Sequence, residues 1–189
     1  RERVLPEWKD AGAPPLEAVY RSLILKSVHH IGIARREWVG DYYGIKKKVA
    51  LPLIDALIAE GALARAQVEG WQEPAVFFPG DEPLIKQVIA GGLSATYTTL
   101  LSPFDPLMWD RERARQLFNF EFKIQAYTPA PQRQYGYFPL PILHNGALIG
   151  RLDAKAHRKE GIFEVRTVYL EDGVEVRDEL VQALCGAIH

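Results

Sequence analysis

Apolar residues recur at helical spacing in the first third of the chain. Residues 16–31 carry an apolar side chain at about every third or fourth position and end at Gly32, and residues 49–58 repeat this spacing before Gly61. Both patterns predict amphipathic helices that end in a glycine cap. The intervening residues 33–43 predict a shorter helical segment.

Two short apolar runs follow the second long helix. Residues 62–68 and 75–78 flank the turn-like sequence EGWQEP and predict a two-stranded hairpin. Proline is best tolerated in a first helical turn, so Pro52 predicts that the preceding helix starts near 49–51. Helix, short helix, longer helix and hairpin is the order of a winged helix-turn-helix, although a plain three-helix bundle with a hairpin would give the same pattern.

The rest of the chain predicts short strands joined by tight turns. Asn145-Gly146 is the strongest of these signals, because Asn-Gly favours a two-residue hairpin turn. Antiparallel strands of this kind indicate a small barrel or a curled sheet. The predicted strands are 96–101, 121–127, 135–143, 147–154 and 162–170, and the predicted helices are 84–90, 111–118 and 176–188.

These elements predict the α+β class: a winged helix-turn-helix followed by a small antiparallel β-barrel or curled sheet with flanking helices. Residues 16–82 are predicted as the first domain and 83–189 as the second. Residues 1–15 contain three prolines and a balanced charge, which is typical of a connector. The chain opens on Arg1 and its only methionine is Met108, so we expect it to continue a missing N-terminal part.

The composition excludes several classes of protein, among them disordered, membrane-spanning and disulfide-rich chains. Of the 189 residues, 48% are hydrophobic and 11% aromatic, which excludes a disordered chain. No apolar run reaches the roughly 18 residues of a membrane span, and the N-terminus lacks the apolar core of a signal peptide. A single cysteine, Cys185, excludes an internal disulfide framework and a cysteine-based zinc site. We therefore expect a cytoplasmic protein without membrane partners.

The formal net charge of −1 conceals two basic blocks. Residues 16–70 carry a net +2 and residues 106–160 a net +4, and acidic stretches offset them. A total near zero therefore does not exclude nucleic-acid binding.

Both basic blocks contain residues suited to DNA. Lys and Arg contact phosphates, and aromatic rings stack on bases or sugars. Alternate residues of a strand share a face, so strand spacing would place Arg133, Tyr135 and Tyr137 together. A solvated charged surface with the tyrosines in the core is an equally good interpretation. The candidate DNA-binding residues are Lys46, Lys47, Lys48, Arg111, Arg113, Arg133, Tyr135, Tyr137, Arg151 and Lys155.

Candidate catalytic residues are few. The sequence contains no phosphate-binding loop, dinucleotide fingerprint, nucleophile elbow or His-Glu-x-x-His motif. Asp105 and Asp110 could act as an acid–base pair, but a turn and a helix cap explain them better. His29 and His30 are adjacent and point to different sides of a helix, so we expect neither a metal site nor a cofactor.

Several specific motifs are shared with one family. They are LLSPFDPL at 100–107, WDR at 109–111, YGYF at 135–138, LP at 140–141 and GRLD at 150–153, together with RERVLP at 1–6 and EGW at 69–71. This combination resembles the C-terminal portion of the YcaQ/AlkZ-type crosslink-repair DNA glycosylases, over nearly the whole chain.

The resemblance implies tandem winged helices and a small β-barrel around an electropositive DNA channel. It implies a monofunctional glycosylase that hydrolyses the N-glycosidic bond of alkylated purines in double-stranded DNA, including purines joined in interstrand crosslinks. In that family a Gln-x-Gln or Gln-x-Asp motif in the N-terminal half positions the water. We therefore expect a monomer, no catalytic residue in this chain, and no activity from this chain alone.

Three glutamines bear on this comparison. Gln132-Arg133-Gln134 spells Gln-x-Gln, but it lies in the later Tyr-Gly-Tyr-Phe region and is interpreted as a coincidence. Gln125 stands where a Glu is usual in the family, and Gln132 where a Lys is usual.

Two other functions are kept as alternatives to the DNA glycosylase. They are a non-catalytic winged-helix regulator and a protein-interaction module.

Overall fold

The computed structural model describes Glu7 and residues 12–188. The chain forms two compact units, one ending at Ala90 and the other beginning at Gly91. Each unit combines helices with an antiparallel sheet, which confirms the α+β class. No sheet of the described chain closes into a barrel, so that part of the prediction is wrong. Most of the predicted connector, and the RERVLP motif, lie outside the described residues.

Three helices build the core of the first unit. They are α1 (Leu16–Ile31), α2 (Arg36–Asp41) and α3 (Lys47–Ala59). α1 ends where Gly32 adopts a φ of +80° and its N–H donates to the carbonyl of Val28, as a glycine cap predicts. Ile24, Val39 and Ile54, one from each helix, are fully buried in a single cluster.

A three-stranded antiparallel sheet completes the first unit, in the order β1-β3-β2. Its strands are β1 (Ile33–Ala34), β2 (Ala64–Ala66) and β3 (Ala75–Phe77), and α4 (Glu82–Ile89) follows them. β2 and β3 are the predicted hairpin in a shorter form. α3 begins at Lys47, two residues before the predicted start, because the carbonyl of Lys46 accepts the N–H groups of Val49 and Ala50.

The second unit contains an open four-stranded antiparallel sheet in the order β4-β5-β6-β7. Its strands are β4 (Thr98–Leu100), β5 (Leu140–His144), β6 (Ala147–His157) and β7 (Ile162–Leu170). Asn145 and Gly146 adopt φ values of +49° and +83°, which forms the predicted hairpin turn. β4 and β7 are the two edges, and four strands are too few to wrap a filled interior, since small barrels use about eight.

Two of the predicted strands are wrong in whole or in part. Residues 121–127 form no strand, although Phe120 and Phe122 stack with their rings 6.3 Å apart in the core. Residues 135–139 are irregular because Gly136 has a φ of +97°. The Asp153 carboxylate also lies where a side chain at Gly136 would stand, with its Cγ 2.3 Å from an ideal Cβ.

Three helices accompany this sheet. They are α5 (Pro106–Trp109), α6 (Arg111–Phe118) and α7 (Asp178–Ile188). The carboxylate of Asp105 caps α5 by accepting the N–H of Leu107 at 2.9 Å, and that of Asp110 caps α6 by accepting the N–H of Arg113 at 3.1 Å. Both carboxylates therefore have the capping role that the sequence favours. Among the described helices, none has the length and apolarity needed to cross a membrane.

Candidate nucleic-acid interface

The predicted lysine run lies at the start of α3 in the first unit. Lys46 is the residue that caps the helix, and Lys47 and Lys48 form its first turn; all three are exposed. In the turn before them, the ring of Tyr42 lies 5.6 Å from that of His30 and 5.0 Å from that of Tyr43. Three exposed lysines thus follow directly in the chain after the two tyrosines of this ring cluster.

The second unit contains an open groove of about 680 Å³. One wall is α6, where Arg111 and Arg115 lie four residues apart on one face. The other walls come from the segment after α6, the loop before β5, and the sheet. Four cations line the groove: Arg111, Arg115, Lys123 and Arg151.

Carboxylates neutralise two of these four cations. Glu112 pairs with Arg115 at 2.8 Å, and its hydrogen bond raises the pKa of that guanidinium above the ordinary value. Glu171 pairs with Arg151. Arg111 and Lys123 are exposed at the groove, and neither forms an ion pair with a carboxylate of the described residues. These two side chains are the groove's best candidates for a phosphate.

Arg151 is buried at the base of the groove. It is 5% exposed, and its guanidinium lies 4.4 Å from the ring centre of Phe120 and 4.2 Å from that of Tyr135. The Tyr135 ring in turn meets the Tyr169 ring edge-on at 5.2 Å. Arg151 therefore contacts the rings of both Phe120 and Tyr135, and it helps to orient Tyr135, which also lines the groove.

Arg133 and Tyr137 form a second cation–aromatic pair. The guanidinium lies 4.9 Å from the ring centre, and Nε of Arg133 donates to the carbonyl of Thr128 at 2.9 Å. Residues 133–139 form no strand that would place both beside Tyr135, and Tyr135 pairs with Arg151 instead. Tyr137 is exposed.

Arg113 is not a surface residue. It is 1% exposed, and its Nη2 donates to the carbonyl of Pro106, so it joins α6 to the start of α5. The prediction that Arg113 contacts DNA does not fit this position, because a DNA phosphate cannot reach a side chain buried inside the unit. Lys155, in contrast, is exposed on β6 opposite Glu164.

The comparison with known families settles the class of protein. A family model described as DNA glycosylase AlkZ-like matches residues 1–187. The chain belongs to the AlkZ-like DNA glycosylase family. Membership assigns the chain to a family of hydrolases with a role in DNA repair and with DNA as the substrate. No solved structure matches the chain.

Gln125 has a clear role in this AlkZ-like chain. It is buried, and its Oε1 accepts the N–H of Gln134 at 2.8 Å and that of Tyr135 at 3.0 Å. These two bonds fix the loop that carries Tyr135 into the groove. The glutamate that the family resemblance led us to expect here would offer acceptor oxygens to the same two N–H groups.

The groove thus unites three of the ten predicted residues: Arg111, Tyr135 and Arg151. Arg115 and Lys123 are not among the ten predicted residues. Arg115 lies on the same predicted helix as Arg111, whereas Lys123 falls in a segment wrongly predicted as a strand. The described residues contain no cluster of His, Cys, Asp or Glu placed to hold a metal ion.

Proposed function

We propose that this chain is the DNA-binding C-terminal half of a monofunctional DNA glycosylase. The full protein would hydrolyse the N-glycosidic bond of alkylated purines, including purines in interstrand crosslinks, and would act as a cytoplasmic monomer. The observation that carries the proposal is the groove of the second unit, in a chain of a DNA glycosylase family. Its lining carries four cations against three carboxylates, Glu112, Glu121 and Glu171, and leaves Arg111 and Lys123 without an ion-pair partner among the described residues. Arg111 and Lys123 would take phosphates, and Tyr135 offers a ring for a base or sugar.

We interpret the first unit as a winged helix-turn-helix. The order α1, α2, α3 followed by the β2–β3 hairpin supports this interpretation. α3 would be the recognition helix, and Lys46, Lys47 and Lys48 at its start would contact phosphates.

The chemistry of the substrate explains why a DNA-binding half is useful without catalytic residues. An N7-alkylated purine is cationic and already a good leaving group, so the enzyme must chiefly position water and stabilise positive charge on the sugar. We propose that a Gln-x-Gln or Gln-x-Asp motif outside these residues does this. The two candidate carboxylates, Asp105 and Asp110, are engaged as helix caps.

The test compares this chain with the full reading frame on a duplex that contains one N7-methylguanine. Free base is measured by chromatography, and binding is measured in parallel by fluorescence anisotropy. The full protein should release the base, whereas this chain should bind the duplex without releasing it. Base release by this chain would overturn the placement of the catalytic motif. A full protein that binds DNA but releases no alkylated base would favour the regulator.

A further inference from the structure

The turn between β4 and α5 holds an aromatic ring in solvent. Phe104 is 62% exposed, although Pro103 before it is buried. The carbonyl of Ser102 accepts the N–H of Asp105 at 2.9 Å, and the hydroxyl of Ser102 accepts the N–H of Phe104 at 3.2 Å. Phe104 is therefore the third residue of a hydrogen-bonded β-turn whose second residue is a proline, and the backbone around it is fixed.

This turn is also attached to the groove. The buried Arg113 of α6 donates to the carbonyl of Pro106, two residues after Phe104. The Phe104 ring contacts the Phe138 ring, with centres 5.7 Å apart, and Phe138 belongs to the loop that carries Tyr135. The turn is thus linked both to the helix and to the loop that line the groove.

Because the turn is rigid, the exposure of the Phe104 ring indicates a role in binding. Single exposed apolar side chains are common and need no explanation where the chain can move. Here the proline and the two hydrogen bonds to Ser102 fix the backbone at Phe104, and the ring is exposed from this fixed position. The loop that carries Phe138 also carries a cation–aromatic pair, in which Arg133 stacks on Tyr137. A fixed apolar ring in a unit that also exposes Arg111 and Lys123 matches a polyanion with an apolar interior, which is DNA with its base stack.

We propose that Phe104 is a wedge that enters the base stack of duplex DNA bound by the second unit. The inference rests on the proposed DNA-binding function. Apolar side chains inserted between base steps unstack them and kink the duplex, which allows more protein surface to contact it. In a DNA glycosylase, a locally unstacked duplex would expose the glycosidic bond to water. Phe104 would thus be a positioning residue.

The test uses short duplexes that contain 2-aminopurine, whose fluorescence rises when it loses stacked neighbours. The probe is placed at several positions, and the whole chain is titrated into each duplex. The variants are Phe104→Ala, Phe104→Leu, which keeps an apolar wedge, and the control Tyr127→Ala. Tyr127 is 88% exposed in the same unit but outside the turn.

The wild type and Tyr127→Ala should both raise the fluorescence at one or two positions, and Phe104→Leu should keep most of this rise. Phe104→Ala should lose the rise and bind about tenfold more weakly, since stacking of one aromatic on a base is worth about that factor or more. Its affinity should keep the wild-type salt dependence.

A wild-type fluorescence rise in Phe104→Ala would overturn the wedge and leave DNA binding standing. The wedge proposal would also be overturned if the wild-type chain binds DNA without raising the 2-aminopurine fluorescence at any position. If the wild-type chain shows no salt-dependent binding, the proposed function itself fails, and the wedge with it.

Discussion

Replacing Arg151 by alanine should destabilise the second unit selectively. The side chain is 5% exposed and fills the space between two aromatic rings. Alanine removes both cation–aromatic contacts, two buried methylene groups and the ion pair with Glu171. Glu171 itself is 41% exposed, so water can solvate its carboxylate after the change.

The magnitude follows from these contacts. Each desolvated cation–aromatic contact is worth about 1–2 kcal/mol, and the two methylene groups about 1.6 kcal/mol together. The half-exposed ion pair adds at most about 1 kcal/mol. Removing a buried charge also relieves a desolvation penalty, which opposes these terms. We expect a net loss of about 3 kcal/mol in the free energy of unfolding of the second unit.

Hydrogen exchange measures this loss for each unit separately. A loss of about 3 kcal/mol corresponds to about 100-fold faster exchange of the most protected amides in β5 and β6. Amides of α1 and α3 serve as the internal reference and should be unchanged. Arg133→Ala is the matched control. It removes a cation–aromatic contact that is more exposed than those of Arg151, together with the hydrogen bond to the Thr128 carbonyl, and should cost about 1–2 kcal/mol. Exchange in Arg151→Ala within about threefold of wild type would refute the reasoning.

Three further changes test other contacts. Gly136→Ala should lower the melting temperature, because the φ of +97° and the Asp153 carboxylate both oppose a side chain; adding Asp153→Ala should restore part of the loss. Gln125→Glu should leave stability nearly unchanged, whereas Gln125→Leu should cost about 2–4 kcal/mol, because two N–H groups lose their acceptor. A hydrogen bond from His157 lowers the pKa of Glu164. The β6–β7 hairpin therefore gains stability above the ordinary pKa of glutamate and loses it as pH falls through the lowered value; His157→Ala should raise the carboxyl midpoint in an NMR titration.

Each of these changes has an outcome that contradicts it. A melting temperature of Gly136→Ala equal to wild type would show that the close approach of the carboxylate is not restrictive. Equal stability of the Leu and Glu variants at position 125 would show that the two loop bonds contribute nothing. If the Glu164 carboxyl midpoint is the same in His157→Ala as in the wild type, the hydrogen bond from His157 is not the cause of the lowered pKa.

Elements with a local signal were predictable from the sequence. Helix 111–118 and strand 162–170 were predicted with the observed limits. Asp110 predicts the start of the helix, since a carboxylate at this position accepts an N–H of the first turn that has no partner within the helix. Asn145-Gly146 predicts the hairpin turn, since both residues tolerate the positive φ that the turn requires. These signals lie within a few residues of the structure that they specify.

Features that depend on distant contacts were not predictable. Residues 121–127 alternate like a strand, but no neighbouring strand pairs with them, and Phe120 and Phe122 pack in the core instead. The loop around Gly136 is set by Asp153, which is far away in the sequence. Arg113 and Arg151 were predicted to bind DNA, and their burial was not predictable for the same reason. No local pattern reveals that a guanidinium will meet a distant carbonyl or two aromatic rings.

The salt dependence of duplex binding by this chain tests the central claim most directly, namely that the groove of the second unit binds DNA. Log affinity should fall linearly with log salt concentration. Replacing Arg111 and Lys123 together by alanine should make the slope shallower by about one to two units. Arg177→Ala, an exposed arginine outside the groove, should leave the slope unchanged. An affinity that does not vary with salt, or a wild-type slope in the double variant, would contradict the claim.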